Sequence, residues 1–125
     1  NIPNQNLDTT SAASFSSVTL DAIATLDTIT NTVSSTSAVA VASTSRTSMK
    51  VQITITDNVT GEIHALEALA FQKGTTAYLT TYAEMYSNAA LATFTADVSG
   101  GAVRMLATPL STNSTTLNSV RISLD

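Results

Sequence analysis

His64 is the single imidazole of this 125-residue chain, and serine and threonine fill 39 of its positions. A Ser-His-Asp relay needs one serine held beside that ring and a carboxylate behind it. Serines are so numerous that a match by residue type carries no information. The Gly-x-Ser-x-Gly elbow that exposes a nucleophile between strand and helix is absent. His64, with Glu67 beside it on a predicted strand, therefore reads as a structural or surface group. One histidine and no cysteine fall short of the three or four ligands of a zinc site. Asp57-Asn58 with Glu62 can place oxygens between loops for Ca²⁺, but the alternating-oxygen pattern of a calcium loop is missing. Asp57 and Asp97 each precede a turn, where Asp is favoured because it accepts backbone hydrogen bonds. No two carboxylates stand out as a glycosidase pair. Gly100-Gly101 lacks the Gly-x-x-x-x-Gly-Lys setting of a phosphate loop. The expectation is a chain with no catalytic residue, no cofactor and no metal.

Tyr78, Tyr82 and Tyr86 are the three tyrosines. Their even spacing on a strand would put them on one face with Thr80 and Glu84. Such a row makes a sugar-binding or subunit-packing surface; ordinary cross-strand packing is the other explanation, since tyrosine favours strands anyway. Asn58-Val59-Thr60 and Asn113-Ser114-Thr115 are formal glycosylation sequons, expected by chance in so Ser/Thr-rich a chain.

The elements that must carry these residues are strands. Met49, Val51, Ile53 and Ile55 alternate with Lys50, Gln52, Thr54 and Thr56, which is the pattern of a half-buried strand. Residues 63–71 form a second strand, apolar on both faces except at His64 and Glu67 and therefore central. Further strands are predicted over 77–86, 91–98, 102–107 and 117–124, the last with Val120, Ile122 and Leu124 on one face. Turns fall at residues 57–61, 72–75 and 99–101, and Pro109 should end a strand or mark an edge. Six strands this closely spaced leave no room for helical crossovers, so the sheets should be antiparallel. Ile53 and Phe71 are predicted core residues.

The first third reads differently. Residues 1–17 are polar, with only Ile2, Leu7 and Phe15 as sizeable apolar groups, and cannot fold alone. Then Thr19-Leu20-Asp21-Ala22-Ile23-Ala24 is echoed by Thr25-Leu26-Asp27-Thr28-Ile29-Thr30. Spacing by three drifts about 60° per step on a helix, so no apolar face forms. On a strand, Leu20 and Leu26 point one way and Ile23 and Ile29 the other. A strand apolar on both sides must be covered twice, either within the domain's own core or between intertwined copies of the chain; a short helix weakened by its threonines is the remaining reading. These four residues are the expected subunit interface. Residues 31–47 are a Ser/Thr/Ala/Val run with a short strand at 38–42.

Composition excludes several classes of function. The net charge is −4 and the five basic residues are scattered, which argues against nucleic acid. No apolar run approaches the roughly 18 residues of a membrane span. Without disulfides a small domain gains stability by oligomerising. The chain begins at Asn1 with no signal-peptide pattern, as a processed or partial polypeptide would.

Several runs carry a resemblance. Lys50-Val51-Gln52-Ile53-Thr54-Ile55-Thr56-Asp57, Glu67-Ala68-Leu69, Gly74-Thr75-Thr76-Ala77-Tyr78-Leu79-Thr80-Thr81-Tyr82-Ala83 and the stretch from Leu91 through Gly100-Gly101 to Pro109 resemble a module of tailed-phage virion proteins. These are structural and tail-fibre-like proteins of phages of marine bacteria, notably cyanobacteria. The resemblance spans about residues 46–122 and implies a β-rich virion component without carrying any catalytic residue. The resulting expectation is an all-β, antiparallel, jelly-roll-like β-sandwich over residues 46–125, preceded by an extended N-terminal arm or stalk-like segment over 1–45. Its role is non-enzymatic: a fibre module or capsid decoration in the virion. It would assemble as a homotrimer with other virion proteins. The alternative is a carbohydrate-binding module that uses Tyr78, Tyr82 and Tyr86 on a host-surface glycan.

Overall fold

The computed structural model describes residues 17–20 and 24–125, with side chains from Leu26 onward. Among them are nine strands: β1 (Ser17–Leu20), β2 (Ala24–Val33), β3 (Val39–Thr44), β4 (Ser48–Asp57), β5 (Ile63–Lys73), β6 (Thr76–Tyr86), β7 (Ala92–Ser99), β8 (Ala102–Pro109) and β9 (Thr115–Leu124). They form an antiparallel β-sandwich. One sheet has the order β1-β2-β9-β4-β5-β6 and the other β3-β8-β7. No helix among the described residues is long and apolar enough to cross a membrane.

The six strands predicted over 46–125 are β4 to β9. The alternation in β4 does what period two requires: Met49, Val51, Ile53 and Ile55 are buried against the small sheet, where they meet Val41, Val103, Met105 and Ala107. Ala68 and Ala70 on β5 are also fully inside; their small side chains leave room for the larger residues opposite. The hairpins close with backbone that only glycine takes cheaply. β7 and β8 are joined by Gly100-Gly101 alone, both at positive φ (60° and 81°), because a two-residue turn matching the strand twist needs that conformation twice. Pro109 ends β8, as predicted for it.

Much of the stretch expected as an arm is structured as part of the sandwich. The expected division at residue 45 falls in the turn between β3 and β4. On its N-terminal side, β2 pairs with β9 along its whole length, Ala24↔Leu124 through Val33↔Thr115, and β3 pairs with β8. A long-range partner at the far end of the chain decides this, and local composition does not record it. Residues 1–16 and 21–23, the rest of the expected arm, lie outside the described residues.

Phe71 departs from its expected place. β5 is fixed by β4 through Val51↔Ala68 and Ile53↔Leu66, so its even-numbered residues point inward and Leu69 and Phe71 point out. Phe71 is 43% exposed, whereas Ile53 is fully buried. Apolar character on both faces of β5 thus reflects an apolar outer surface and not a second core.

Candidate functional site

His64 lies on the inner face, fully buried. Its Nδ1 accepts the Leu91 backbone N–H at 3.1 Å, and its Nε2 lies 2.6 Å from the Glu84 carboxylate. An acceptor at Nδ1 puts the proton on Nε2, which then donates to Glu84. The ring packs edge-on against Tyr86 (5.1 Å between centroids) and Phe94 (5.8 Å). Both nitrogens are engaged and neither meets a hydroxyl, so this imidazole has no free lone pair for a nucleophile's proton. It ties the loop before β7 to the large sheet.

The carboxylate beside it is Glu84 and not Glu67, and a bulge is the reason. Between Ala65↔Met85 and Glu67↔Tyr82, β5 has one residue and β6 has two, with Ala83 at φ 52°. The extra residue reverses the alternation of β6. Tyr78 and Tyr82 stay on the outer face, while Glu84 and Tyr86 turn inward to His64. The three tyrosines therefore do not form one row. Glu67 faces outward, 3.6 Å from Lys50. A non-glycine bulge residue gives no sequence signal, so Glu84 was not foreseen as the histidine's partner.

Asp57 does what a carboxylate before a turn is expected to do. Oδ1 accepts the N–H groups of Val59 (2.8 Å) and Thr60 (3.1 Å), and Oδ2 accepts from the Asn113 amide at 3.0 Å. Glu62 is directed elsewhere, accepting the Ser87 hydroxyl. The two acids are thus held apart by different partners, and no group of three or more metal-ligating side chains occurs among the described residues. Both sequon asparagines, Asn58 and Asn113, spend their amides on these loop bonds.

The Asn113 hydrogen bond, helped by the backbone N–H groups, holds the Asp57 carboxyl below its ordinary range; the two-pronged contact of Arg104 at 2.8 and 2.6 Å does the same for Asp97. A lowered folded-state pKa stabilises the fold above the unfolded carboxylate's pKa of about 4, and that stability is lost as pH falls through the folded value. Asp57→Asn should therefore melt below the parent at pH 7, with the gap closing as pH falls below about 4. Melting curves across a pH series read this directly. A gap that stays constant down to pH 2 would show that the charge of Asp57 contributes nothing.

The exposed face of the six-stranded sheet holds the chain's other concentration of distinctive residues. Register aligns Leu26, Ile122, Lys50, Leu69 and Thr80 in one row, and Leu124, Ser48, Phe71 and Tyr78 in the next. Phe71 and Tyr78 stack at 4.6 Å with an interplanar angle of 16°. Beside them a groove of about 240 Å³ is lined by Leu69, Phe71, Tyr78, Leu79 and Thr80. Of the expected interface set, Leu26 lies on this face, 40% exposed. Ile29 lies on the inner face in register with Ser119 and Ile53. Leu20 is the last residue of β1, and Ile23 falls outside the described residues. Period two along 120–124 was the available signal for Ile122 and Leu124; it does not tell which side of the sheet is outside.

No protein-family model matches the chain, and no curated protein matches it. Among solved structures, it is similar to a tailspike protein of Acinetobacter baumannii bacteriophage Fri1, described as a capsular polysaccharide depolymerase. That match has a TM-score of 0.52 and 20% identity, and covers 87% of this chain and 19% of that one. Weaker likenesses are to tailspikes of Acinetobacter baumannii phage AM24 (TM-score 0.45, 8% identity, 81% of this chain and 26% of that one) and of Acinetobacter phage vB_ApiP_P1 (TM-score 0.41, 15% identity, 100% and 25%). The chain spans about a fifth of the Fri1 tailspike's length, and what the two share is the fold.

Proposed function

We propose that this chain is a non-enzymatic structural module of a phage virion, of the tail-fibre or tailspike kind, acting by self-assembly. The observation that carries this is the division of its side chains. The one imidazole is buried with both nitrogens engaged, while the exposed residues that stand out form a broad apolar sheet face. That arrangement suits holding partners, not turning over a substrate. The resemblance of residues 46–122 to phage virion modules and the fold shared with part of a tailspike support the same setting. A marine host rests on the sequence resemblance alone. The module works in the extracellular particle, as a homotrimer attached to other virion proteins; capsid decoration is the variant in which that attachment is to the head. Depolymerase activity belongs to the whole Fri1 tailspike, and this module is taken to support such chemistry without performing it.

One observation favours a second function. The Phe71–Tyr78 stack beside a groove is a flat aromatic platform of the type on which sugar rings rest, with Tyr82 farther along the face. Capsular polysaccharide from a panel of bacteria separates the alternatives. Incubation with the purified chain should release no new reducing ends, and calorimetric titration should give no heat beyond dilution. Saturable heat that Tyr78→Ala abolishes would make the chain a carbohydrate-binding module. New reducing ends would make it an enzyme and overturn both.

A further inference from the structure

β9 is apolar on the wrong side for its own sandwich. Its inward residues after Leu117 are Ser119, Arg121 and Ser123, while Val120, Ile122 and Leu124 face away from the small sheet. The register is fixed from both sides, by β2 and by β4, so no one-residue slip is available to bury them. The same outward face carries Leu26, Leu69, Phe71 and Tyr78. With Ile122 and Leu124, these residues are 40–48% exposed. Six side chains each a little under half exposed leave on the order of 500 Å² of apolar surface, at the upper end of what a monomer keeps in water.

We propose that this face is closed by the same face of further copies of the chain. This rests on the assembly function above and names the surface that performs it. Two observations select a copy as the occupant. The first is charge. Lys50 and Glu67 sit side by side in the middle of the apolar field as a long ion pair of 3.6 Å, Lys50 exposed and Glu67 a third exposed, so both head groups remain within reach of a neighbouring copy. A face that carries one positive and one negative group on neighbouring strands is complementary to itself. Rotation about a three-fold axis along the strands preserves height. Lys50 is level with Leu69 and Glu67 with Gln52, yet their head groups lie only 3.6 Å apart, so Lys50 of each copy reaches Glu67 of the next. The second is area. A stable interface takes about 800 Å² from each partner, so this patch supplies an apolar centre that the surrounding threonines complete as a polar rim. Residues 1–16 of the same chain are a poor cover, because their sizeable apolar side chains are Ile2, Leu7 and Phe15 alone.

Two charge variants test the proposal. Lys50→Glu puts two acids on each face, and Glu67→Lys puts two bases there. Sedimentation at micromolar concentration should show the parent as an oligomer and each variant alone as monomer, with an unchanged far-ultraviolet spectrum. The double variant Lys50→Glu/Glu67→Lys should restore the parent's mass, because every copy then carries one charge of each sign again and every interface of a closed trimer is complementary. Ile122→Glu, which removes apolar surface without entering the core, should be monomeric as well. If the parent is an oligomer and Ile122→Glu is too, assembly stands but this face does not make it. If neither charge variant dissociates alone, or if the double variant stays monomeric, the Lys50–Glu67 pairing across copies is wrong. A monomeric parent overturns the assembly function itself and leaves the face to another occupant; a glycan would then show as a rise in the parent's melting temperature with added oligosaccharide.

Discussion

Ile53→Ala is expected to cost about 2–5 kcal/mol, the range for emptying a buried aliphatic site. Ile53 is fully buried at the middle of β4, which is paired on both sides, with Leu66 on β5 and Ser119 on β9 as its cross-strand neighbours. Strands held by ladders on both edges cannot move in to fill a void, so the upper part of the range applies. Domains of this size are stable by about 5–15 kcal/mol, so the variant should be largely unfolded under mild stress. Urea titration gives the number. Phe71→Ala is the control, because both residues are large and apolar on adjacent strands. Phe71 is 43% exposed and its main partner is the Tyr78 ring. Its loss should cost about 1 kcal/mol in the isolated chain, with a further part that grows with protein concentration if copies cover it. Equal, concentration-independent costs at both positions would show that the inside and outside of β5 have been exchanged.

His64→Phe should have the second large effect, about 2–4 kcal/mol, although it keeps an aromatic ring in a buried site. Phenylalanine retains the packing on Tyr86 and Phe94 but offers nothing to the Leu91 N–H and nothing to Glu84. A partly buried backbone donor left unpaired costs more than the hydrogen bond contributed while it was made. Glu84→Gln, which keeps an acceptor for Nε2–H, should cost much less. Thermal melts of the three proteins read the order directly, and amide exchange at Leu91 should speed up in His64→Phe before the core strands are affected. A His64→Phe variant as stable as the parent would mean that the loop before β7 is held by something other than this ring.

How far the sequence reaches differs between the two halves of the sandwich. Over β4 to β9 each strand announces itself by alternation or by a turn at its end: Met49 to Ile55 by period two, Gly100-Gly101 by the backbone a two-residue hairpin demands. These are local properties, set by side chains and dihedrals within a few residues, and sequence is enough to see them. β2 is different. Its Thr-Leu-Asp repeat allows a strand, but its partner is β9, some ninety residues away, and no local pattern encodes that pairing.

The functional surfaces fall on the same divide. That His64 sits on a strand, and that Asp57 caps a turn, follows from residue types and their neighbours. That Glu84 meets His64 depends on one extra residue at Ala83, which reverses the alternation of β6 and separates Tyr86 from Tyr78 and Tyr82. Sequence also fixes the alternation of Val120, Ile122 and Leu124 with Ser119, Arg121 and Ser123. Only the sheet decides which set faces the core, because a strand's period of two specifies two faces but is silent on which one a second sheet will cover. Here the small sheet covers the polar set of β9 and leaves the apolar set outside.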